Sequence, residues 1–149
     1  MTFLEELHNF VSKYYETDLK RNGFQFLSEK DGPGMGAYIK FVKKDIFIQF
    51  VNDRNQFFVS IGKLKNPKVL WDLDLIMAYF YLNESNNIKR DKKEIKEILI
   101  KICNWKNYEK LAKFFFNNIE KILKLFSKSE IKLFDKELNK LLKERRKYM

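Results

Sequence analysis

The chain has 149 residues, a formal net charge of +10, and a composition that is 45% hydrophobic and 16% aromatic, with 15 Phe and 7 Tyr. A chain of this length buries about 70% of its unfolded surface, and so much aromatic material builds a core, which excludes a disordered chain although 34% of its residues are charged. The lone cysteine, Cys103, excludes an internal disulfide and a cysteine-based zinc site within one chain, and the most apolar stretch, 69–82, is interrupted by Asp72 and Asp74 and too short to span a bilayer.

The first residues carry acidic side chains where a signal peptide needs a basic start and an apolar run, so a reducing cytoplasm is the expected location. The excess charge is unevenly placed. Residues 1–88 hold 11 Lys/Arg and 11 Asp/Glu, whereas residues 89–149 hold 19 and 9.

Thr2-Phe3-Leu4-Glu5 has the pattern of a capping box, and Phe3, Leu7, Phe10, Val11 and Tyr14 recur at helical spacing. Asn22-Gly23 supplies the stop. Residues 24–28 read as a strand, followed by a glycine-containing hairpin connection over 30–36. In 37–43, Tyr38, Lys40 and Val42 alternate with Ala37, Ile39 and Phe41. A turn at Lys44-Asp45 leads to a strand over 46–51, and the cluster Asn52-Asp53-Arg54-Asn55 turns the chain into a strand over 56–61. Connections this short force antiparallel neighbours, so a four-stranded meander is predicted.

Asn66-Pro67 marks a bend, and 70–82 is apolar almost all round, as suits a largely buried helix. Asp91 and Glu94 open a further helix with the seam Ile95, Ile98, Leu99 and Ile102. A helix over 107–126 buries Tyr108, Leu111, Phe115, Ile119, Ile122 and Phe126. A second capping box at 127–130 starts a last helix on Ile131, Phe134, Leu138, Leu141 and Leu142. The expected class is α+β in one domain, 1–149. An N-terminal helix and the sheet occupy 1–62, and about four amphipathic helices packed on the sheet occupy 63–149.

Few residues point to catalysis. The glycine loop lies between strands, without the helix N-terminus or the Lys-Ser/Thr of a phosphate cradle. His8, the single histidine, falls off the apolar seam of its helix and reads as a surface side chain, and Cys103 reads as a small buried hydrophobe. A metal-dependent hydrolase would need Asp45, Asp53, Asp72 or Asp74 to converge. Asp45 and Asp53 are where turns favour Asp, and Asp72 and Asp74 diverge on a helix. No catalytic residue, cofactor or metal site is expected.

The basic half offers a different chemistry. Lys132, Lys136, Lys140, Lys143 and Lys147 track one stripe of the last helix. Arg145 and Arg146 cluster near its end, and Lys106, Lys110, Lys113, Lys121 and Lys124 line the helix before it. Such stripes bind phosphates through counterion release, although a solvated helix face with interspersed Glu130, Glu137 and Glu144 accounts for the same residues. Sequence-specific readers lean on Arg, whereas this chain uses Lys.

The stretch Ile48-Gln49-Phe50-Val51-Asn52-Asp53-Arg54-Asn55-Gln56-Phe57-Phe58-Val59-Ser60-Ile61-Gly62, followed by Trp71-Asp72-Leu73-Asp74-Leu75-Ile76, resembles small bacterial immunity-type proteins over about residues 38–82. The resemblance implies a non-enzymatic inhibitor that occludes one cognate toxin, with no catalytic residues to carry over. A +10 chain departs from the acidic character of inhibitors that block nucleic-acid-cutting toxins, so it would meet an acidic partner surface or bind through its neutral sheet half. The expected function is therefore a non-catalytic protein-binding module, with Asp53, Arg54, Trp71, Tyr79 and Trp105 as candidate partner contacts. Nucleic-acid binding through Lys132, Lys136, Lys140, Lys143, Arg145 and Arg146 is the alternative. No membrane association is expected, since the apolar seams already serve the interior.

Overall fold

A computed structural model describes residues 2–32, 36–84, 92–103, 107–127 and 131–147. The chain divides into two compact units, Met1–Asp72 and Leu73–Met149.

The first unit opens with α1 (Phe3–Tyr14), whose N-cap Thr2 accepts a hydrogen bond from the Glu5 amide at 3.1 Å. The predicted first helix is in fact two. Tyr15 leaves helical geometry at φ −131°, and a short α2 (Glu16–Arg21) follows. The α2 end is closed by Gly23 at φ +86°, with the Gly23 amide donating to the Lys20 carbonyl at 3.1 Å and the Phe24 amide to the Leu19 carbonyl at 2.9 Å. This is the paired arrangement that satisfies a helix's last carbonyls, and the accompanying apolar contact residues, Leu19 and Phe24, are both buried.

Five antiparallel strands follow in sequence order: β1 (Gln25–Gly32), β2 (Gly36–Lys43), β3 (Ile46–Asp53), β4 (Gln56–Lys63) and β5 (Asn66–Asp72). The meander is as expected, but with five strands where the sequence predicts four. Residues 66–72 form an edge strand, and the predicted helix over 70–82 begins only at Leu73. Pro67, which has no amide hydrogen, is tolerated because the strand is at the edge and pairs intermittently. Asn66 faces Lys63, and pairing resumes only at Leu70 opposite Gly62. Two-residue turns fix the register, with Lys44 at φ 56° in one and Arg54 and Asn55 at φ 51° and 69° in the next.

Register sorts the side chains into two faces. Ile39, Phe41, Ile48, Phe50, Val59 and Ile61 share one face, together with Trp71, and all are buried. Helix α1 packs on that face over β2 and β3, with Phe10 stacked on Phe57 at 4.6 Å and the Tyr15 ring edge-on to Phe50 at 4.8 Å. Asn52, fully buried, donates from its side-chain amide to the Phe3 carbonyl at 3.0 Å and accepts from the Asn55 amide at 2.8 Å, tying α1 to the β3–β4 turn.

The second unit contains α3 (Leu73–Glu84), α4 (Lys92–Cys103), α5 (Tyr108–Asn117), α6 (Ile119–Leu125) and α7 (Ile131–Arg146). Helix α3 is apolar nearly all round because it is central here, contacting α4, α5 and α7. Its Tyr79 ring meets Phe134 of α7 at 5.3 Å, and its Phe80 ring meets Phe114 of α5 at 5.7 Å. The predicted helix over 107–126 is broken at Asn118, whose side-chain amide donates to the Phe114 carbonyl at 3.0 Å and competes with the helical ladder. Asp91, the predicted start of α4, and residues 128–130 of the second capping box lie outside the described residues, as do 33–35 of the glycine loop.

Candidate functional site

The sheet face opposite α1 is built in three cross-strand rows. The first is apolar and runs Val42, Phe47, Gly62, Leu70. Gly62 makes it possible for Phe47 to be buried there, since a Cβ at Gly62 would come within 3.0 Å of the Phe47 ring. The second row is polar and runs Ser28, Lys40, Gln49, Ser60, Asp72. The third runs Lys30, Tyr38, Val51, Phe58. Each row exists because a two-residue turn pairs residues symmetrically about itself, Lys40 with Gln49 about 44–45 and Gln49 with Ser60 about 54–55.

The rows are linked. The Lys40 ammonium sits 5.1 Å from the Tyr38 ring centroid and 5.1 Å from that of Phe47, so it bridges the outer and inner rows over aromatic faces. Ser60, which is buried, donates to the Asp72 carboxylate at 3.1 Å. Phe58 is 46% exposed, whereas Tyr38 and Val51 beside it are half-buried. The face therefore presents a ring, a phenol, a branched aliphatic chain, an amide and an ammonium in fixed array, a composition suited to a protein surface.

Chemistry of the hydrolytic kind does not assemble from these residues. Ser60 and Asp72 share the rows, but His8 stands on α1 and pairs with Glu29, whose strand partner Ile39 lies on the opposite face. A Ser-His-Asp relay is thus divided by the sheet. Asp45 and Asp53 flank the two ends of β3, about 25 Å apart at roughly 3.3 Å per residue, so they cannot share one ion. Asp45 pairs with Lys63 at 3.4 Å, and Asp74 pairs with Arg145 at 3.4 Å. Among the described residues no group of three or more potential metal ligands gathers.

The predicted contact residues are divided between the two units. Asp53 and Arg54 sit on the exposed β3–β4 turn, paired to each other at 3.2 Å. Trp71 is 6% exposed, because its place opposite Ile61 puts it on the buried face, so it offers a partner little surface. Tyr79 is half-buried against Phe80 and Phe134, and Trp105 lies outside the described residues. On α7, Lys132, Lys136, Lys140, Lys143 and Arg146 are exposed, with Lys140 near Glu137 at 3.7 Å. Arg145 differs: its side chain is 16% exposed and held by Asp74, so it serves the α3–α7 contact rather than a phosphate. Of the earlier basic stripe, Lys110, Lys113, Lys121 and Lys124 are exposed, and Lys106 lies outside the described residues.

Sequence reasoning separated the alternating faces of β2 but missed the rows, since Gln49, Phe58 and Ser60 look unremarkable until register aligns them. The two turns carried the needed signal. No protein-family model, curated protein or solved structure matches the chain. No helix among the described residues is long and apolar enough to cross a membrane.

Proposed function

We propose that this protein is a non-catalytic binding module that grips another protein through the sheet face opposite α1, in the manner of an immunity-type inhibitor occluding a cognate toxin. The observation that carries this reading is Phe58, an exposed aromatic ring held in a row with Tyr38 and Val51 beside the Lys40-Gln49-Ser60 row. Exposed rings with a rigid backing act as anchors in protein interfaces, and polar neighbours set specificity. The unit carrying the face is close to neutral, with 11 Lys/Arg against 9 Asp/Glu in residues 1–72, so it does not demand a strongly acidic partner.

The test is affinity capture from the native host with the wild-type chain and a Phe58→Asp chain in parallel. A protein enriched stoichiometrically by the first and lost with the second supports the reading. If that protein arrests growth when expressed alone and not when co-expressed, the inhibitor form follows. Equal recoveries with the two chains would overturn the assignment of the face.

A second reading, binding to a nucleic-acid backbone, is favoured by the exposed Lys132, Lys136, Lys140 and Lys143 stripe on α7. About four phosphate contacts would give a log-log salt slope of roughly −3 to −4 on duplex DNA. Changing Lys136, Lys140 and Lys143 to Glu abolishes such binding; absence of a mobility shift at low salt removes the idea.

A further inference from the structure

The end of the sheet formed by the β2–β3 and β4–β5 turns carries a surface of its own. Pairing between β4 and β5 stops at Lys63–Asn66 and resumes at Gly62–Leu70, so residues 67–69 loop out from the sheet edge. All six residues 64–69 are exposed, among them two aliphatic side chains, Leu64 at 43% and Val69 at 37%. The neighbouring turn holds this tip in place. The Leu64 amide donates to the Asp45 carbonyl at 2.8 Å, and the Lys63 ammonium pairs with the Asp45 carboxylate at 3.4 Å. The turn that carries Lys44 therefore lies against the one that carries Lys65.

The charge at this end is one-sided. Asp45 is the single carboxylate in 43–47 and 61–71, and Lys63 already neutralises it. Gly23, which closes α2, lies against the Lys43 side chain, and the α2 carboxylates Glu16 and Asp18 are paired with Lys20 and Arg21. Lys44, Lys65 and Lys68 are exposed and enter no ion pair among the described residues. Asp31 and Asp53 stand at the other end of the sheet, about 20 Å away along β3 at roughly 3.3 Å per residue. Residues 33–35, the only part of 2–72 outside the described residues, join β1 to β2 at that far end.

We infer that this tip docks on an anionic lipid bilayer, Leu64 and Val69 entering the interface while Lys44, Lys65 and Lys68 meet the headgroup phosphates. Charge and proline at an edge strand guard against strand addition, but that role calls for no exposed Leu and Val beside the lysines. Aliphatic side chains flanked by lysines match the boundary between headgroups and acyl chains, where lysine stems lie along apolar surface and the ammonium stays in water. A nucleic acid offers nothing to Leu64 and Val69, and 63–69 holds neither a ring to stack on a base nor an arginine to read one. A stable protein interface takes about 20–30 residues a side, far more than this tip supplies. The apolar seams of the helices serve the interior, but the tip belongs to no helix. It stands at the end of the sheet away from Phe58, so the inference is independent of the sheet-face reading.

The experiment is sedimentation of the full chain with sucrose-loaded vesicles of phosphatidylcholine, with and without phosphatidylserine. Binding is expected only where phosphatidylserine is present. Each lysine near an anionic surface is worth about fivefold, so Lys65→Glu/Lys68→Glu is expected to weaken binding by at least about 25-fold. Lys136→Glu/Lys140→Glu on α7 changes the net charge equally and is expected to weaken it by less than about threefold, since distant charges are screened. Leu64→Gln leaves the charge intact and is expected to weaken it by about fivefold, the loss of a partly inserted leucine. All the substituted residues are exposed, so the fold survives, as the far-ultraviolet dichroism will verify. Absence of sedimentation with phosphatidylserine vesicles would overturn the inference. So would equal losses in the two double-lysine variants, which mark bulk charge, or full binding by Leu64→Gln, which marks adsorption without insertion. A duplex oligonucleotide bound through Lys65 and Lys68 more tightly than the vesicles would assign the tip to nucleic acid and overturn it equally.

Discussion

Asn52 is the residue on which the geometry of the first unit can be tested most sharply. It is fully buried, its side-chain amide donates to the Phe3 carbonyl and its carbonyl accepts from the Asn55 amide. Asn52→Ala removes both hydrogen bonds, each worth about 1 kcal/mol net, and leaves a small void. The Asn55 amide sits in an exposed turn and rehydrates cheaply, so the total loss is about 2–3 kcal/mol. Asn52→Asp is expected to be worse at neutral pH, because it keeps the acceptor for Asn55 but turns a carboxylate toward the Phe3 carbonyl. Burial and that oxygen raise the pKa of the new carboxyl in the folded state above its unfolded value. The folded state then binds more protons, so stability is retained at acid pH and lost as pH rises. Urea titrations followed by Trp71 fluorescence in a Trp105→Phe background report on this unit with an unchanged slope. An Asn52→Ala variant within about 0.5 kcal/mol of the parent, or an Asn52→Asp variant no less stable at pH 7 than at pH 4, would refute the reasoning.

Gly36 has φ +80°, and a Cβ there would meet the Asn52 carbonyl oxygen at 1.9 Å, so Gly36→Ala is expected to cost at least about 3 kcal/mol in the same urea assay. Gly62→Ala places a Cβ 2.8 Å from the Val69 carbonyl oxygen and against the Phe47 ring, which can yield, and should cost about 1–3 kcal/mol. Asp74→Ala removes the carboxylate paired with the largely buried Arg145 guanidinium and lowers the thermal midpoint by the equivalent of about 1–2 kcal/mol. Lys147→Ala, breaking an exposed pair with Glu144, changes it by less than about 0.5 kcal/mol. Burial pushes the Tyr15 phenol well above the ordinary tyrosine range, so the folded state holds its proton where the unfolded chain releases it. Stability therefore falls as pH rises past about 10, and Tyr15→Phe should resist alkaline unfolding better than the parent.

Much of the fold was legible because local chemistry and tertiary structure agree. Thr2 caps α1, Gly23 closes α2, and the turns at 44–45 and 54–55 fall where Asp, Asn and Arg stand between alternating runs. The strand β5 was not legible. Pro67 and the unpaired 67–69 excursion erase its alternation, and Leu70 and Trp71 merge with the apolar run of α3. That merger also misplaced Trp71 as a surface contact. Tyr15 and Asn118 interrupt helices without Gly or Pro, so apolar periodicity runs straight through both breaks. The lysine-flanked tip was hidden for another reason: Lys44 and Lys65 belong to two turns, and no spacing in one segment reports that the Leu64 amide joins them through the Asp45 carbonyl.

The sheet also narrows how a partner protein could engage it. Adding a strand at an edge uses main-chain hydrogen bonds and tolerates many sequences. Both edges here are poor templates for that. At β1 the register slips between Phe26 and Ser28, leaving Leu27 in a bulge, and Glu29, Lys30 and Asp31 follow with exposed charges. At β5 Pro67 lacks a donor and the pairing with β4 is itself interrupted. Recognition in the proposed mode must then run through side chains on the face, where Tyr38, Lys40, Gln49 and Phe58 are set at strand spacing on a backing of buried residues. Such contacts discriminate, because a partner lacking the matching cavity for Phe58 or the matching acceptor for Lys40 leaves a ring uncovered or a charge desolvated. A binder that must hold one cognate protein and ignore others gains from that arrangement, since suppressing strand addition removes the sequence-tolerant route to the wrong partner.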